Sequence, residues 1–194
     1  MRISGGLAKG IALRVTKTNK LRPARDANRE RLFSSLSDFV QKKSVLDLFA
    51  GTGSYGLEAL SRKASSAVFV EKDGRIFTDL KLNFANTCRS AKLPSSIGQL
   101  ENREVVEYLK HCDLSFDLIF LDPPYAEISE VVPVALALLG SRNLLRKDGV
   151  LVHESPPEAQ NNFPGWSLIR TIGKEKKGSP SFRIYKSSET GSAQ

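Results

Sequence analysis

The sequence predicts an α/β protein in which helices cover both faces of a mostly parallel, seven-stranded sheet. Short apolar runs alternate with helical patterns between residues 44 and 155, and such alternation is typical of parallel sheets. A glycine-rich segment at 49–53 follows the first apolar run, and residues 122–125 follow the fourth. Both segments leave the carboxyl ends of strands, where open α/β sheets bind their ligands.

The individual elements follow from this alternation. The parallel strands are predicted at 44–48, 66–71, 95–98, 116–122 and 150–154, with helices at 54–62, 74–87, 101–110 and 129–139. Segments 166–172 and 181–186, joined by the turn-rich residues 173–180, are predicted to close the sheet as an antiparallel pair.

The two termini fall outside the alternation. Glycines punctuate residues 1–22, which favours a small hairpin. A helix is predicted at 23–40, because proline suits a first helical position and apolar residues recur at helical spacing near its end. We therefore expect a basic hairpin extension (1–22), one α/β domain (23–186) and a disordered tail (187–194).

Size and composition limit the class of protein. A chain of 194 residues forms one domain that buries about 70% of its unfolded surface. Two cysteines and two histidines argue against a disulfide framework or a metal centre. The sequence lacks the 18 consecutive apolar residues that a membrane helix requires and the apolar run of a signal peptide. We expect a cytoplasmic monomer that does not enter membranes.

The positive charge is concentrated near the two ends of the chain. The net charge is +8, and residues 1–31 hold nine Lys or Arg against two acids, while residues 166–186 hold six against one. Such concentration indicates a polyanionic partner. The alternative is a basic tail that only keeps the protein soluble.

The arginines of the first helix extend its apolar stripe backward. Leu32, Phe33, Leu36, Phe39 and Val40 form the stripe, which Arg22, Arg25 and Arg29 continue. Cations at a helix start oppose the helix dipole by about 0.3–1 kcal/mol each. A bound phosphate would remove that conflict, so we predict phosphate contacts here and at Arg2 and Lys9. The alternative is internal pairing with Asp26, Glu30 or a carboxylate at the sheet edge.

The glycine-rich segment predicts a nucleotide-type cofactor. Gly51, Gly53 and Gly56 form G-x-G-x-x-G between a strand and a helix, which by itself also fits NAD. Asp47 ends the strand and would repel a pyrophosphate but attract the ammonium of S-adenosylmethionine. Glu71 ends the next strand and can accept hydrogen bonds from ribose hydroxyls in either cofactor. The alternatives are a tight turn without a ligand, a local turn acid at Asp47 and an exposed strand-end charge at Glu71.

Residues 122–125 predict methyl transfer to an exocyclic amine. Asp122 and the carbonyl of Pro123 offer two acceptors around an amine that gains positive charge during the reaction. Pro123 and Pro124 fix φ and stiffen the strand end. Tyr125 offers a ring on which a base can stack, and Asp122 can take the departing proton. The alternative is a simple turn with Tyr125 in the core.

Several sequence segments together resemble one known family, the bacterial 16S rRNA guanine-N2 methyltransferases of the RsmD type. The segments are Arg2-Ile3-Ser4-Gly5-Gly6, Leu21-Arg22-Pro23 with Asp26, Arg29-Glu30 and Leu32-Phe33, then 47–53, 56–62 and 122–125. The N-terminal segments are more specific than residues 122–125, which other amino methyltransferases share. The resemblance runs in register over residues 1–186.

The resemblance implies a Rossmann-like class I methyltransferase with S-adenosylmethionine as donor and S-adenosylhomocysteine as product. It implies that Asp47, Gly51 and Gly53 line the methionine end and that Glu71 holds the ribose, and Phe49 is a further expected cofactor-binding residue. Its target would be one guanine of 16S rRNA, either free or within a partly assembled small ribosomal subunit.

Two positions depart from the family pattern or are ambiguous. Ala24 stands where the family has a threonine, so a capping hydroxyl is missing. An acid that contacts the adenine is expected before the fourth helix. The register from Asp122 indicates Glu104, with Asn102 and Glu101 as alternatives.

Two other functions compete with this prediction. One is an adenine-N6 nucleic-acid methyltransferase, which shares residues 122–125 but usually carries a target-recognition domain for which this chain has no room. The other is a non-catalytic rRNA-binding assembly factor, against which the intact Asp122 and glycine-rich segment argue.

Overall fold

The computed structural model describes residues 1–15, 23–173 and 181–188, with side chains from residue 27 onward in the first helix. The helices are α1 (Pro23–Leu36), α2 (Ser54–Ser61), α3 (Gly74–Ala91), α4 (Val105–His111) and α5 (Ile128–Ser141). The strands are β1 (Ser44–Leu48), β2 (Ser66–Val70), β3 (Gly98–Glu101), β4 (Phe116–Leu121), β5 (Leu145–Ser155), β6 (Trp166–Ile172) and β7 (Ser181–Ser187). Short 3-10 turns occupy Ser37–Val40, Ser95–Ile97 and Tyr125–Glu127.

All seven strands form one sheet in the order β3-β2-β1-β4-β5-β7-β6. The five neighbouring strands β3, β2, β1, β4 and β5 run parallel to one another, whereas β7 pairs antiparallel with both β5 and β6. The predicted α/β fold class and its closing antiparallel pair are therefore confirmed. The strand order reverses between β1 and β4, which is the position where doubly wound sheets bind ligands.

The boundaries differ from the predicted ones where a local interaction decides them. The third strand begins at Gly98 rather than at residue 95, because Ser95–Ile97 forms a 3-10 turn. The fourth helix begins at Val105 rather than at residue 101, because the Glu104 carboxylate accepts the Glu107 amide at 2.9 Å and caps it. The fifth strand begins earlier, at Leu145.

Two apolar cores lie on opposite faces of the sheet. One contains residues of α1, α2 and α3, including Leu32, Phe33 and Val40 of the predicted helical stripe. The other contains residues of α4 and α5. Alternating strand residues supply each core, as in a sheet covered on both faces.

The start of the chain forms an antiparallel turn that docks on α2. Arg2 pairs with Ala12 in an isolated bridge, and the Leu7 amide donates to the Ser61 carbonyl at 2.7 Å. Gly6 has φ +78°, and a Cβ there would lie 2.0 Å from the Ser61 carbonyl oxygen. The absence of a side chain at Gly6 therefore allows the turn to pack closely against α2. The division into hairpin, domain and tail stays a prediction, because residues 16–22 and 189–194 lie outside the described residues.

In the described part of the chain, no helix combines the length and the apolar character needed to cross a membrane.

Candidate active site

The pairing of β1 with β4 brings the two predicted motifs together. Asp47 pairs with Phe120 and Leu48 with Leu121 in parallel register. The glycine loop (residues 49–53) and the Asp122 corner (residues 122–125) therefore leave adjacent strands at the same level. A methyl donor bound at the loop and a methyl-accepting base bound at the corner would therefore be neighbours.

The glycine loop adopts backbone conformations that place it against a potential ligand. Gly51 has φ +55°, and a Cβ there would have no neighbour nearer than 4.0 Å, so the space beside it is open. Gly53 has φ +88° and caps α2, where a Cβ would lie 2.6 Å from Leu80. Phe49 also has a positive φ, +58°, a conformation that non-glycine residues adopt mainly where the surroundings enforce it.

Asp47 lies fully buried beneath the loop and shapes it. Its Oδ2 accepts the Gly56 amide at 2.8 Å, whereas its Oδ1 has no hydrogen-bond partner among the described residues. Burial raises the pKa of Asp47 to about 8; the Gly56 hydrogen bond opposes this shift and the nearby charge of Glu71 adds to it. Asp47 is therefore a loop-shaping acid in this structure, and its predicted contact with an ammonium stays a prediction.

Glu71 connects the end of β2 to the glycine loop. Its two carboxylate oxygens accept the amides of Gly51 at 2.9 Å and Asp73 at 2.8 Å. A carboxylate oxygen can accept more than one hydrogen bond, so these contacts leave capacity for ribose hydroxyls. Its position beside the loop fits the predicted role.

The three candidates for the adenine contact have structural roles of their own. Glu104 is exposed and caps α4. Asn102 donates to the Glu71 carbonyl at 2.8 Å and so braces the end of β2, while Glu101 forms an ion pair with Arg103 at 3.3 Å. Glu104 is therefore the N-cap of α4, and its predicted contact with the adenine stays a prediction.

The Asp122 corner presents its ring outward. Asp122 is partly buried, Pro123 is buried and Pro124 is exposed. Tyr125 is 48% exposed and begins a 3-10 turn, so its ring is accessible for stacking rather than packed in the core. This exposure argues against the simple-turn alternative.

The structure corrects one predicted phosphate contact. Arg29 is 2% exposed; its Nη2 donates to the Arg2 carbonyl, and its Nε lies 3.6 Å from the Glu58 carboxylate. A buried, paired guanidinium cannot also bind a phosphate, so we revise Arg29 to an internal partner of Glu58. Internal pairing was the alternative left open above, although the partner is on α2.

The other predicted phosphate contacts differ in accessibility. Arg2 and Lys9 have exposed side chains on the N-terminal turn. Arg22 and the side chain of Arg25 lie outside the described residues.

Three residues near the site escaped sequence reasoning. Asn83 of α3 donates to the Thr52 carbonyl at 3.0 Å and exchanges hydrogen bonds with the backbone of Arg14, linking the N-terminal segment to the glycine loop. Tyr55 and Glu154 lie beside Asp122 around a narrow gap that has no room for a water molecule. Glu154 ends a strand, as Glu71 and Asp122 do, so the same strand-end pattern could have identified it.

The fold, the glycine loop and the adjacent Asp122 corner define a class I methyltransferase. The chain belongs to the family described as Conserved hypothetical protein 95, whose model matches residues 1–186, and this confirms the resemblance stated above.

Two curated relatives match nearly the whole chain. Ribosomal RNA small subunit methyltransferase D of Haemophilus influenzae is 32% identical over 188 residues, or 95% of this chain and 93% of the relative. The protein of the same name from Escherichia coli K12 is 30% identical over 195 residues, or 98% of this chain and 92% of the relative. The solved structure of yhhF from Escherichia coli is 28% identical with a TM-score of 0.81, covering 97% of this chain and 98% of that chain.

Proposed function

We propose that this protein transfers a methyl group from S-adenosylmethionine to the exocyclic N2 amine of a guanine in 16S rRNA. The observation that carries the proposal is the parallel register of β1 and β4, which places the glycine loop beside the Asp122 corner. The names of the two relatives, small subunit methyltransferases for ribosomal RNA, support the substrate class. The choice of guanine N2 rests on the resemblance to the RsmD type.

The residues of the loop fit the donor. The open space beside Gly51 admits a ligand close to the backbone, and Glu71, which accepts the Gly51 amide, is the proposed acceptor for the ribose hydroxyls. The buried Asp47 supplies a carboxyl group whose ionised form has the charge opposite to that of a cationic ligand. When bound, S-adenosylmethionine would supply an electrophilic methyl group on a positively charged sulfur.

The Asp122 corner would act on the amine. The Asp122 carboxylate and the Pro123 carbonyl accept hydrogen bonds from N2, and they stabilise the positive charge that develops there. Tyr125 stacks on the base and holds N2 in line for attack. Asp122 then accepts the proton that N2 loses.

The substrate would approach from the basic side of the molecule. Arg2 and Lys9 are exposed on the N-terminal turn, and the hydrogen bonds between Asn83, Arg14 and Thr52 fix this segment to the glycine loop. Phosphate contacts there would orient the RNA relative to the corner.

Mass spectrometry of 16S rRNA tests the proposal. Cells that lack the gene should lose one N2-methylguanosine, and the wild-type gene should restore it. Purified protein with labelled donor should methylate small-subunit particles or their RNA but not duplex DNA. Unchanged N2-methylguanosine in the deletion strain would overturn the proposal, and labelling of adenine N6 would favour the alternative enzyme.

A further inference from the structure

The chain that follows β5 leaves the sheet beside the Asp122 corner. β4 lies between β1 and β5, and Leu121 is the register partner of His153. The corner therefore has the glycine loop on one side and residues 156–162, here called the β5–β6 loop, on the other. Because the glycine loop is the proposed donor site, the β5–β6 loop borders the side on which neighbouring nucleotides of the RNA can lie.

Two buried side chains of β7 hold the backbone of the β5–β6 loop. The guanidinium of Arg183 donates three hydrogen bonds of 2.7–3.1 Å to loop carbonyls, and the Tyr185 hydroxyl donates a fourth at 3.2 Å. The accepting carbonyls are those of Pro157, Ala159, Gln160 and Asn161. Side chains of the sheet thus fix the path of the loop from below.

The loop carbonyls compensate the buried charge of Arg183. Arg183 is 1% exposed, and no carboxylate of the described residues pairs with it. Burial lowers the pKa of its register partner His153 to about 4; the hydrogen bond to Leu121 opposes this shift, and the nearby Arg183 adds to it. A buried guanidinium is costly unless it is hydrogen-bonded, so the conformation of the loop and the buried cation stabilise each other.

The same buried patch connects the loop to the corner. Since His153 is neutral, its Nδ1 donates to the carbonyl of Leu121 at 3.0 Å. Leu121 is the last residue of β4 before Asp122. The loop and the corner are therefore positioned by adjacent residues of one layer of the sheet.

The outer surface of the loop presents side-chain amides. Gln160, Asn161 and Asn162 are exposed. Gln160 donates to the Asn162 carbonyl at 2.7 Å, whereas the side chains of Asn161 and Asn162 make no hydrogen bond with other described residues. The loop contains the acid Glu158 and no lysine or arginine, which disfavours phosphate contacts. Amides suit base edges and ribose hydroxyls, because each has both donors and an acceptor.

We propose that the β5–β6 loop recognises the nucleotides that flank the target guanine, through hydrogen bonds from Asn161 and Asn162. Arg183 and Tyr185 are positioning residues, which hold the loop in shape before the RNA binds. This inference rests on the proposed function and adds a second RNA-contacting surface to it. A preorganised loop loses little conformational entropy on binding. Base contacts at the loop would select the sequence, while phosphate contacts at the N-terminal turn only orient the RNA.

The test varies the RNA around the target. Small-subunit RNA is transcribed with each of the two nucleotides on either side of the target guanine changed in turn, and kcat/KM is measured on the reconstituted particles. We expect the wild-type protein to disfavour at least one change by about tenfold or more. Asn161→Ala or Asn162→Ala should remove most of that preference, while the affinity for S-adenosylhomocysteine stays unchanged.

Gln99→Ala is the matched control, because it removes an exposed amide side chain from β3 at the far end of the sheet order. Its preference among the RNAs should equal that of the wild type. An equal fall in rate on every RNA in Asn161→Ala and Asn162→Ala, or an unchanged preference in both, would overturn the inference.

Two further variants test the positioning residues. Tyr185→Phe keeps the ring, which packs 5.9 Å from that of Phe163, and removes the hydroxyl that holds Asn161. It should raise KM for the RNA and weaken the preference a few-fold. Arg183→Lys keeps the charge but lacks the fork of donors, so it should weaken the preference more. Thermal melting shows whether both variants are folded, and an unchanged preference in folded variants would contradict the positioning role.

The wild-type measurement keeps the test decisive if a variant does not fold. Equal methylation of all the RNAs by the wild-type protein overturns the inference while leaving guanine-N2 methylation intact. Failure to methylate the unaltered RNA at all, free or in particles, would instead overturn the proposed function.

Discussion

Buried carboxylates hold both the site edge and the N-terminal region, but their partners differ. At the site edge, the Glu71 carboxylate accepts the Gly51 amide and the Asp47 carboxylate accepts the Gly56 amide of α2. In the N-terminal region, the fully buried Glu58 accepts the Ser4 amide and hydroxyl and also pairs with the cations Arg29 and Arg62.

This difference predicts which substitutions affect stability. The Asp122 corner takes no part in these contacts, so substitutions there should change the rate of methyl transfer and have little effect on folding. A network around one buried carboxylate loses its compensation when a member is removed. Substitutions there should change the free energy of unfolding.

The largest effect is expected at the corner itself. Asp122→Ala should lower kcat/KM for rRNA methylation by about 10²–10³, because an acceptor of the developing charge is lost. The melting temperature should change little. Steady-state kinetics and thermal melting check both points.

Asp113→Ala is the matched control, since the Asp113 side chain is 92% exposed and pairs only at the surface with Arg142. Near-wild-type activity of Asp122→Ala would contradict the enzymatic role and favour the assembly-factor alternative.

The buried ion pair should show the opposite pattern. Arg29→Ala should lower the free energy of unfolding by roughly 3 kcal/mol, because it leaves the charge of Glu58 undercompensated. The exposed Arg31, on the same helix, is the control, and Arg31→Ala should stay within about 0.5 kcal/mol. Urea unfolding measures both.

RNA binding distinguishes the two roles considered for Arg29. The salt dependence of binding by Arg29→Ala should equal that of the wild type at a temperature where both are folded. A slope that is smaller by about one unit would restore Arg29 as a phosphate contact.

Comparing Gly6→Ala with Gly10→Ala measures how tightly the N-terminal turn packs against α2. Gly6 and Gly10 both have positive φ, +78° and +90°, but a Cβ at Gly6 would collide with the Ser61 backbone, whereas one at Gly10 meets nothing within 4 Å. Gly10→Ala should cost about 1–2 kcal/mol of stability, and Gly6→Ala roughly 1–3 kcal/mol more. Equal costs by chemical denaturation would show that the docking is loose.

Donor binding should depend on pH through Asp47. Its pKa of about 8 means that the ligand-free protein is protonated there at pH 7, while a cationic donor favours the ionised form. Affinity should therefore rise by up to about tenfold per pH unit as the pH approaches 8, and then level off.

Calorimetric titration with S-adenosylhomocysteine, which keeps the ammonium, measures this dependence, and Asp47→Asn should abolish it. A wild-type affinity that does not change with pH would show that Asp47 does not contact the ammonium of the donor.

The same group affects stability. Because the folded state holds a proton that the unfolded chain has lost, Asp47 lowers the stability of the ligand-free protein as the pH rises from about 4 to 8.

The smallest effect is expected at the exposed N-terminal cation. Lys9→Ala should weaken RNA binding a few-fold and reduce its salt slope by about 0.7–0.9, the contribution of one phosphate contact. Lys110 of α4, which pairs with Glu107 at 3.7 Å, is the control and should leave the slope unchanged. Filter binding over a range of salt concentrations checks both variants.

Sequence patterns predicted the helices and strands that depend on the spacing of apolar residues along the chain. The alternation of apolar runs predicted the sheet, and β1 was predicted with its observed bounds, Ser44–Leu48. The errors at β3 and α4 arose where a 3-10 turn or a capping carboxylate decided the boundary. Such interactions depend on the conformation of a few residues, which composition and periodicity do not specify.

The sequence by itself determined the class of fold, the two motifs at strand ends and the concentration of charge, because each follows from neighbours along the chain. Only the tertiary structure decided which charges are accessible. Arg29 meets Glu58 across 29 positions of sequence, and Tyr55 meets Glu154 across 99. Burial and pairing between distant segments are set by packing, and packing made one predicted RNA contact internal and brought a second carboxylate beside Asp122.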